Sequence, residues 1–242
     1  MIKQYKHFFF DMDCTLTESR KQITPAMCEV LKELLKQGKH VIVITGADTE
    51  RISQQMYGAP KGISYMAQCG NCCSLWENEL SQYNRDTIYQ HIYSLKKMFP
   101  NVFSKSVDHN DLIQDRGCQI TFSFVGHHAP LDKKKKFDPD GSRRAHFLNL
   151  EPFKTTDLRA SIGGTTSIDY TLESGTKGKN IARLLKLNKW RVDECVYFGD
   201  AIYEHGNDGS VVGVIPNLVS VKNYKETLKH LNNVASTRKK SI

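Results

Sequence analysis

Long apolar runs are missing from this 242-residue chain: no stretch approaches the ~20 consecutive apolar residues of a membrane span. A membrane partner is therefore not expected. The segment Met1 to Asp13 lacks a signal-peptide pattern, because its apolar stretch is only Phe8-Phe9-Phe10 and it runs straight into acids. The seven cysteines are odd in number and follow no framework spacing. That excludes a disulfide scaffold and leads us to expect free thiols in a reducing, cytoplasmic setting. Internal repeats and low-complexity segments are also absent. What remains, 39% hydrophobic and 25% charged residues, is an ordinary globular composition that rules out disordered, collagenous and coiled-coil classes. The length allows one large domain, or a core with a smaller insert.

Positive charge is in excess, with 34 Lys and Arg against 26 Asp and Glu, for a net charge of +8. It is concentrated in two places. Lys133 to Lys136, Arg143 and Arg144 stand against Asp132, Asp138 and Asp140, and Arg238, Lys239 and Lys240 have no acid nearby. Such patches suit nucleic acid, acidic lipid or phosphorylated substrates, or are simply solvated faces. The lysines lack interleaved aromatics that would stack bases, so a basic nucleic-acid-binding module is the lesser reading and no nucleic-acid partner is expected.

Patterning predicts the fold. Residues 7 to 13 read as a short buried strand ending in acids. Thr24 and Pro25 open a helix along Val30, Leu31, Leu34 and Leu35, closed by Gly38. Residues 40 to 46 are β-branched almost throughout, as in a parallel strand covered on both faces. A helix capped by Asp48 or Thr49 and a strand over Ser64 to Ala67 complete an alternating β-α-β-α-β order, which argues for a doubly wound α/β sheet. The rhythm then changes. A helix over Asp86 to Phe99, an alternating strand over Gln119 to Phe124, a polar linker, a helix over Ser142 to Leu150 and an alternating strand around Arg159 to Leu172 form an α+β block. The first style returns with a helix through Ile181, Leu184 and Leu185, a strand over 195 to 200, a strand over Val211 to Ile215, and a helix over Lys222 to Leu231. We therefore expect a discontinuous core, 1–82 and 174–242, with an inserted domain at 83–173.

In open α/β sheets ligands bind beyond the carboxyl ends of the strands. There this sequence puts Asp11-Met12-Asp13-Cys14-Thr15, then Thr45-Gly46, then Gly199-Asp200 with Asn207-Asp208 following, and Lys177 in a Gly-flanked turn. Convergent carboxylates repel one another at low dielectric, and an oxygen-only ligand set points to magnesium. One Asp can then act as a nucleophile towards phosphorus and another as acid and base, while Thr45 and Lys177 hold phosphate oxygens.

These elements, DxDxT at Asp11 to Thr15, the strand ending in Thr45, Lys177, and GD…ND at Gly199 to Asp208, resemble the four motifs of the haloacid dehalogenase superfamily. An insert between the second and third motifs looks like its type IIB cap on a Rossmann-like core. Within that group, residues 115 to 126, 163 to 178 and 198 to 208 resemble the eukaryotic-type phosphomannomutases and their bacterial phosphatase relatives. The resemblance implies Asp11 as nucleophile and Asp13 as acid/base. It implies Thr45, Gly46 and Lys177 as phosphate binders. Magnesium would be held by Asp11, the backbone carbonyl of Asp13 and Asp200, with Asp208 supporting. Arg116, Ser167 and Asp169 fall on cap substrate positions, whereas His127 and Lys134 stand where two further cap arginines are expected. Position 14, commonly glycine in the first motif, is cysteine here. The expected activity is a magnesium-dependent phosphatase for a small phosphorylated metabolite, most simply a sugar phosphate, working as a monomer or homodimer; a sugar phosphomutase is the alternative. Cys69, Cys72 and Cys73 read as buried thiols rather than a metal knuckle, since nothing completes a tetrahedral site. His127-His128 reads as a loop pair.

Overall fold

In the computed structural model, residues 2–102, 111–203 and 206–235 are described. The basic tail singled out above, Arg238 to Lys240, lies outside them. The chain divides into two compact units, Met1–Glu77 with Thr176–Ile242, and Asn78–Gly175.

The first unit is built on a seven-stranded sheet in the order β11-β10-β1-β2-β3-β4-β5. Its members are β1 (His7–Phe10), β2 (His40–Ile44), β3 (Ser64–Ala67), β4 (Cys72–Cys73), β5 (Trp76–Glu77), β10 (Cys195–Gly199) and β11 (Leu218–Ser220). The strands are parallel from β11 to β3, and β4 and β5 return antiparallel. Alternation along β1 explains the double cover. Phe8 and Phe10 join the cluster containing Met27, Leu31 and Leu34 of α1 (Pro25–Lys36) and Leu231 of α7 (Tyr224–Ala235). Phe9 faces the other side, with Ile181, Leu184 and Leu185 of α6 (Lys177–Asn188). All three phenylalanines are fully buried, and each contributes roughly 1.5–3 kcal/mol of burial free energy. Thr24 caps α1 by accepting from the Met27 N–H at 3.3 Å, and Asp48 caps α2 (Thr49–Gln55) by accepting from Arg51 N–H at 2.9 Å.

The second unit carries a four-stranded antiparallel sheet, β6-β7-β9-β8: β6 (Ile113–Asp115), β7 (Ile120–Ser123), β8 (Leu158–Gly163) and β9 (Ser167–Leu172). Ile120, Phe122, Ile168 and Tyr170 pack with Ile88, Ile92 and Leu95 of α3 (Gln82–Met98) and with Phe147 of α5 (Ser142–Leu150). Among the described residues no helix is long and apolar enough to cross a membrane.

Four details differ from the sequence expectation. The stretch around Arg159 to Leu172 is a hairpin, β8 and β9, because the chain turns over residues 164–166, with Gly164 at φ +48°. Val211 to Ile215 is no strand: Gly209–Val211 is a 3-10 helix and Gly213 turns at φ +84°, while burial of Val211 and Ile215 accounts for the apolar run. The strand lies later, at β11. Within the polar linker, Leu131–Phe137 is helical and becomes α4. Helix α3 starts earlier than Asp86, since Ser81 and Asn84 form a reciprocal capping box.

Candidate active site

At the carboxyl edge of the first unit's sheet, two strand ends and one later loop deliver charge to one point. Asp11 follows β1, Asp200 follows β10, and Asp208 comes from the segment that precedes the 3-10 helix. Side-chain oxygens of the three lie within 4.8 Å of one another. Asp11 and Asp208 are buried and Asp200 is exposed. Lys177, at the start of α6, is buried against them and pairs with both Asp11 Oδ1 and Asp208 Oδ1, the latter at 2.8 Å. Burial alone would depress the Lys177 ammonium, but the charges of Asp11 and Asp208 hold it above its ordinary range.

Three carboxylates face one lysine, and the electrostatics record that excess. Burial raises the Asp11 carboxyl well above its usual value; Lys177 opposes the shift and Asp208 adds to it. Desolvation, then the Asp208 charge, pushes Asp200 up to about 6, even though its side chain keeps an open flank to water. A cluster of oxygen donors that resists holding its own charge fits a hard divalent cation, which would favour the ionised forms of Asp11 and Asp200. Among the described residues no other trio of His, Cys, Asp or Glu converges in this way.

Asp13 sits at the same loop but is turned aside. Its carboxylate accepts from the Arg20 N–H at 2.7 Å and from Gln55 Nε2 at 3.1 Å, and it pairs with Arg51. Cys14, the next residue, adopts φ +60°, a left-handed turn that explains why glycine suits this position and why cysteine is strained in it. Its thiol is pushed up by burial and by the charges of Asp200, Asp13 and Asp11, so it stays protonated beside the carboxylates. Thr45 is buried, and its hydroxyl accepts from the Ala47 N–H at 3.2 Å. Gly46 follows, its Cα direction facing Cys69 Sγ.

Several residues of this site carried no motif. Tyr197, on β10, is fully buried and donates its hydroxyl to Asp208 Oδ1 at 2.6 Å. Asp208 Oδ2 takes the Ala201 N–H at 3.2 Å, so both of its oxygens are held. A tyrosine in an otherwise apolar buried strand was the available signal, because its hydroxyl must find a partner. Arg51 and Gln55, one helical turn apart on α2, hold Asp13, and only their spacing hinted at a shared role. Gly199 has no room for a Cβ, which would meet the Asp208 carboxylate.

The remaining sequence candidates lie in the inserted unit. Ser167 and Asp169 are two apart on β9 and so share a face, with Ser167 opposite Ser123 and Asp169 opposite Thr121. Burial raises the Asp169 carboxyl and the Arg116 guanidinium opposes it, so these two are brought together. His127 and His128 occupy a turn: His127 Nε2 lies 3.2 Å from the Thr121 carbonyl and His128 Nδ1 is 2.6 Å from Asp111. Lys134 is buried and donates to the His127 carbonyl. Cys69, Cys72 and Cys73, expected to be buried, are half-buried: Cys69 lies in the 3-10 helix Gln68–Gly70, and Cys72 and Cys73 form the two-residue strand β4 next to the edge strand β5.

The profile of the haloacid dehalogenase-like hydrolases matches residues 8–241. Phosphomannomutase of Spinacia oleracea is 28% identical over 251 residues, covering 95% of this chain and 96% of that protein. Phosphomannomutase of Encephalitozoon cuniculi is 25% identical over 217 residues, covering 83% and 82%. Among solved structures, IMP-bound IMP-nucleotidase of Plasmodium falciparum superposes with a TM-score of 0.63 at 16% identity, covering 95% of this chain and 68% of that one. A haloacid dehalogenase subclass IIB sugar phosphatase superposes at 0.59 with 17% identity, covering 93% and 91%. These structural likenesses speak for the fold. With its profile spanning almost the whole length, a doubly wound core and an inserted α+β unit between the second and third motifs, the chain belongs to the haloacid dehalogenase-like hydrolases, a family of phosphoric-ester hydrolases and phosphotransferases.

Proposed function

We propose that this protein is a magnesium-dependent phosphatase that hydrolyses a small phosphorylated metabolite, a sugar phosphate, through an aspartyl-phosphate. The observation that carries the reading is the convergence of Asp11, Asp200 and Asp208 on Lys177 at the sheet edge. Asp11, Asp200 and Asp208, with the Asp13 carbonyl, would hold the magnesium. Bound there, it would neutralise the carboxylates and screen the incoming phosphate. Lys177 fixes Asp11 Oδ1, leaving Oδ2 as the attacking atom, and its one remaining N–H meets a transferring phosphoryl oxygen. Thr45 and the Gly46 backbone complete the phosphate cradle. The P–O bond to the leaving group breaks as the Asp11–phosphate bond forms, and the leaving oxygen takes a proton from Asp13. For this, Asp13 turns away from Arg51 and Gln55, and it then accepts a proton from the water that cleaves the acyl phosphate. Arg116, Ser167 and Asp169 are the proposed substrate contacts of the inserted unit.

A second reading, a sugar phosphomutase, is favoured by the likeness to phosphomannomutases. A mutase must retain a bisphosphorylated intermediate, which calls for firm cationic charge on the distal phosphate. Here His127 is held neutral by burial, and Lys134 spends a donor on a backbone carbonyl. This supports hydrolysis over retention. Replacing Asp11 by Asn is expected to lower phosphate release from sugar monophosphates by at least ~10³ while melting behaviour stays native-like. Near-wild-type release by a clean variant would sink the mechanism. If hexose 1- and 6-phosphates interconvert faster than phosphate appears, the mutase reading replaces the phosphatase.

A further inference from the structure

We propose that the inserted unit carries a binding site of its own for a small organic anion with a flat, apolar body. The site is the cavity of about 610 Å³ beside α4. Helical winding splits the lysine run over different faces. Lys134 turns inward to the His127 carbonyl, whereas Lys133 and Lys136, three residues apart, line the cavity together. Arg143 of α5 supplies a third cation. Among the described residues none of these three side chains forms an ion pair, although the adjacent Arg144 is fully engaged. Asp132 is the one acid in the lining, so the site keeps a net charge of +2.

The apolar part of the wall is Val102, Val125, Pro130 and Phe137. The Arg143 guanidinium lies 4.7 Å from the Phe137 ring centroid and 5.6 Å from that of Phe147. Stacking on two rings fixes its plane and leaves its N–H edge as a pre-set fork for a phosphate or carboxylate. An apolar wall with a few convergent polar groups is the form of a small-molecule site. Phe137 is the one aromatic in the lining and Arg143 covers it, so there is no run of open ring faces for successive bases, and the flat body of the ligand rests on Val102 and Val125 instead. None of these residues belongs to the proposed reaction, and the inference stands apart from it.

Phenylphosphonate is a suitable probe, because it joins a dianion to a flat ring and its C–P bond is not a phosphatase substrate. Titrated calorimetrically into the full chain in EDTA, where the core carboxylates disfavour anions, it is expected to bind one equivalent. Lys133→Ala/Lys136→Ala/Arg143→Ala should weaken binding at least ~10-fold, about one power of ten in Kd. Lys133→Gln/Lys136→Gln keeps the arginine stack and should still lose several-fold, which guards against a folding artefact. Methylphosphonate, lacking the ring, should bind at least ~5-fold less tightly, and Asp11→Asn should leave phenylphosphonate binding unchanged. No saturable binding, equal binding by the cation-stripped variants, equal binding of methylphosphonate, or displacement by a mixed-sequence oligonucleotide at matched phosphate concentration would each overturn the proposal.

Discussion

In the inserted unit, Arg144 and Asp138 bury one charge of each sign; in the core unit, Lys177 is buried against Asp11 and Asp208, with Asp200 beside them. The first cluster is saturated. Arg144 Nε donates to Asp138 at 2.6 Å, its Nη1 reaches the carbonyls of Gly163 and Ser167 at 2.6 and 2.9 Å, and Asp138 also takes the N–H groups of Arg143 and Arg144 at 3.0 Å each. The second cluster is left with more negative charge than it can hold, as the raised Asp11 and Asp200 carboxyls record. Two buried charge clusters in one chain thus serve different ends. A balanced pair fixes geometry, here the β8–β9 turn that sets the register of Ser167 and Asp169. An unbalanced one stores a capacity to bind what is missing.

The sharpest way to break this comparison is to remove the cation. EDTA is expected to abolish phosphate release and magnesium to restore it, with calcium a poor substitute because it prefers longer bonds and higher coordination. Restoration by zinc alone would contradict an oxygen-only site. Next in size, Arg144→Met strands the buried Asp138 charge and should cost about 3–5 kcal/mol in urea denaturation. Asp200→Asn, which relieves the excess in the core, should instead raise the melting temperature of the metal-free protein. Equal destabilisation by both would show that the clusters do not differ in kind.

Tyr197→Phe tests how the core cluster is aimed. Hydrogen bonds to charged groups are worth about 1.5–3 kcal/mol, so losing this donor should lower kcat roughly tenfold while KM stays nearly constant. A change confined to KM would remove Tyr197 from the positioning of Asp208 and Lys177. The smallest effect is in the pH dependence of stability. Asp200 titrates at 3.8 ordinarily and at about 6 in the fold, so between these values the folded chain holds a proton that the unfolded chain has lost. Stability of the metal-free protein should therefore be fully present below about pH 4 and fall as pH rises through 6. Thermal melts in EDTA and in magnesium check this, and the slope should flatten with metal.

Much of the core unit was legible because its strands are covered on both faces and their β-branched and aromatic runs admit one interpretation. The acids at their ends converge for the same reason, since parallel strands deliver their carboxyl ends to one edge. What escaped were contacts made across the fold. Nothing local to Tyr197 points to Asp208, and the pairing of Asp13 with Arg51 and Gln55 depends on how α2 crosses the first loop. Val211 to Ile215 misled because burial and strand share an apolar signature, and only Gly209 and Gly213 hinted at turns. The hairpin turning at Gly164 was hidden by continuous alternation on both sides of the turn.

The position of β1, between β2 and β10, also sets an order of events during synthesis. A ribosome delivers Asp11 early, but the strand beside it begins only at Cys195, with the whole inserted unit made in between. The inserted unit has its own sheet and apolar cluster and can collapse while the core sheet still lacks β10 and β11. Until β10 arrives, the backbone donors and acceptors along one side of Phe8 to Phe10 have no neighbour, which makes that apolar edge the segment of the nascent chain most in need of shielding. The chemistry is assembled last, when Asp200, Asp208 and Lys177 come to meet an aspartate made nearly 200 residues before.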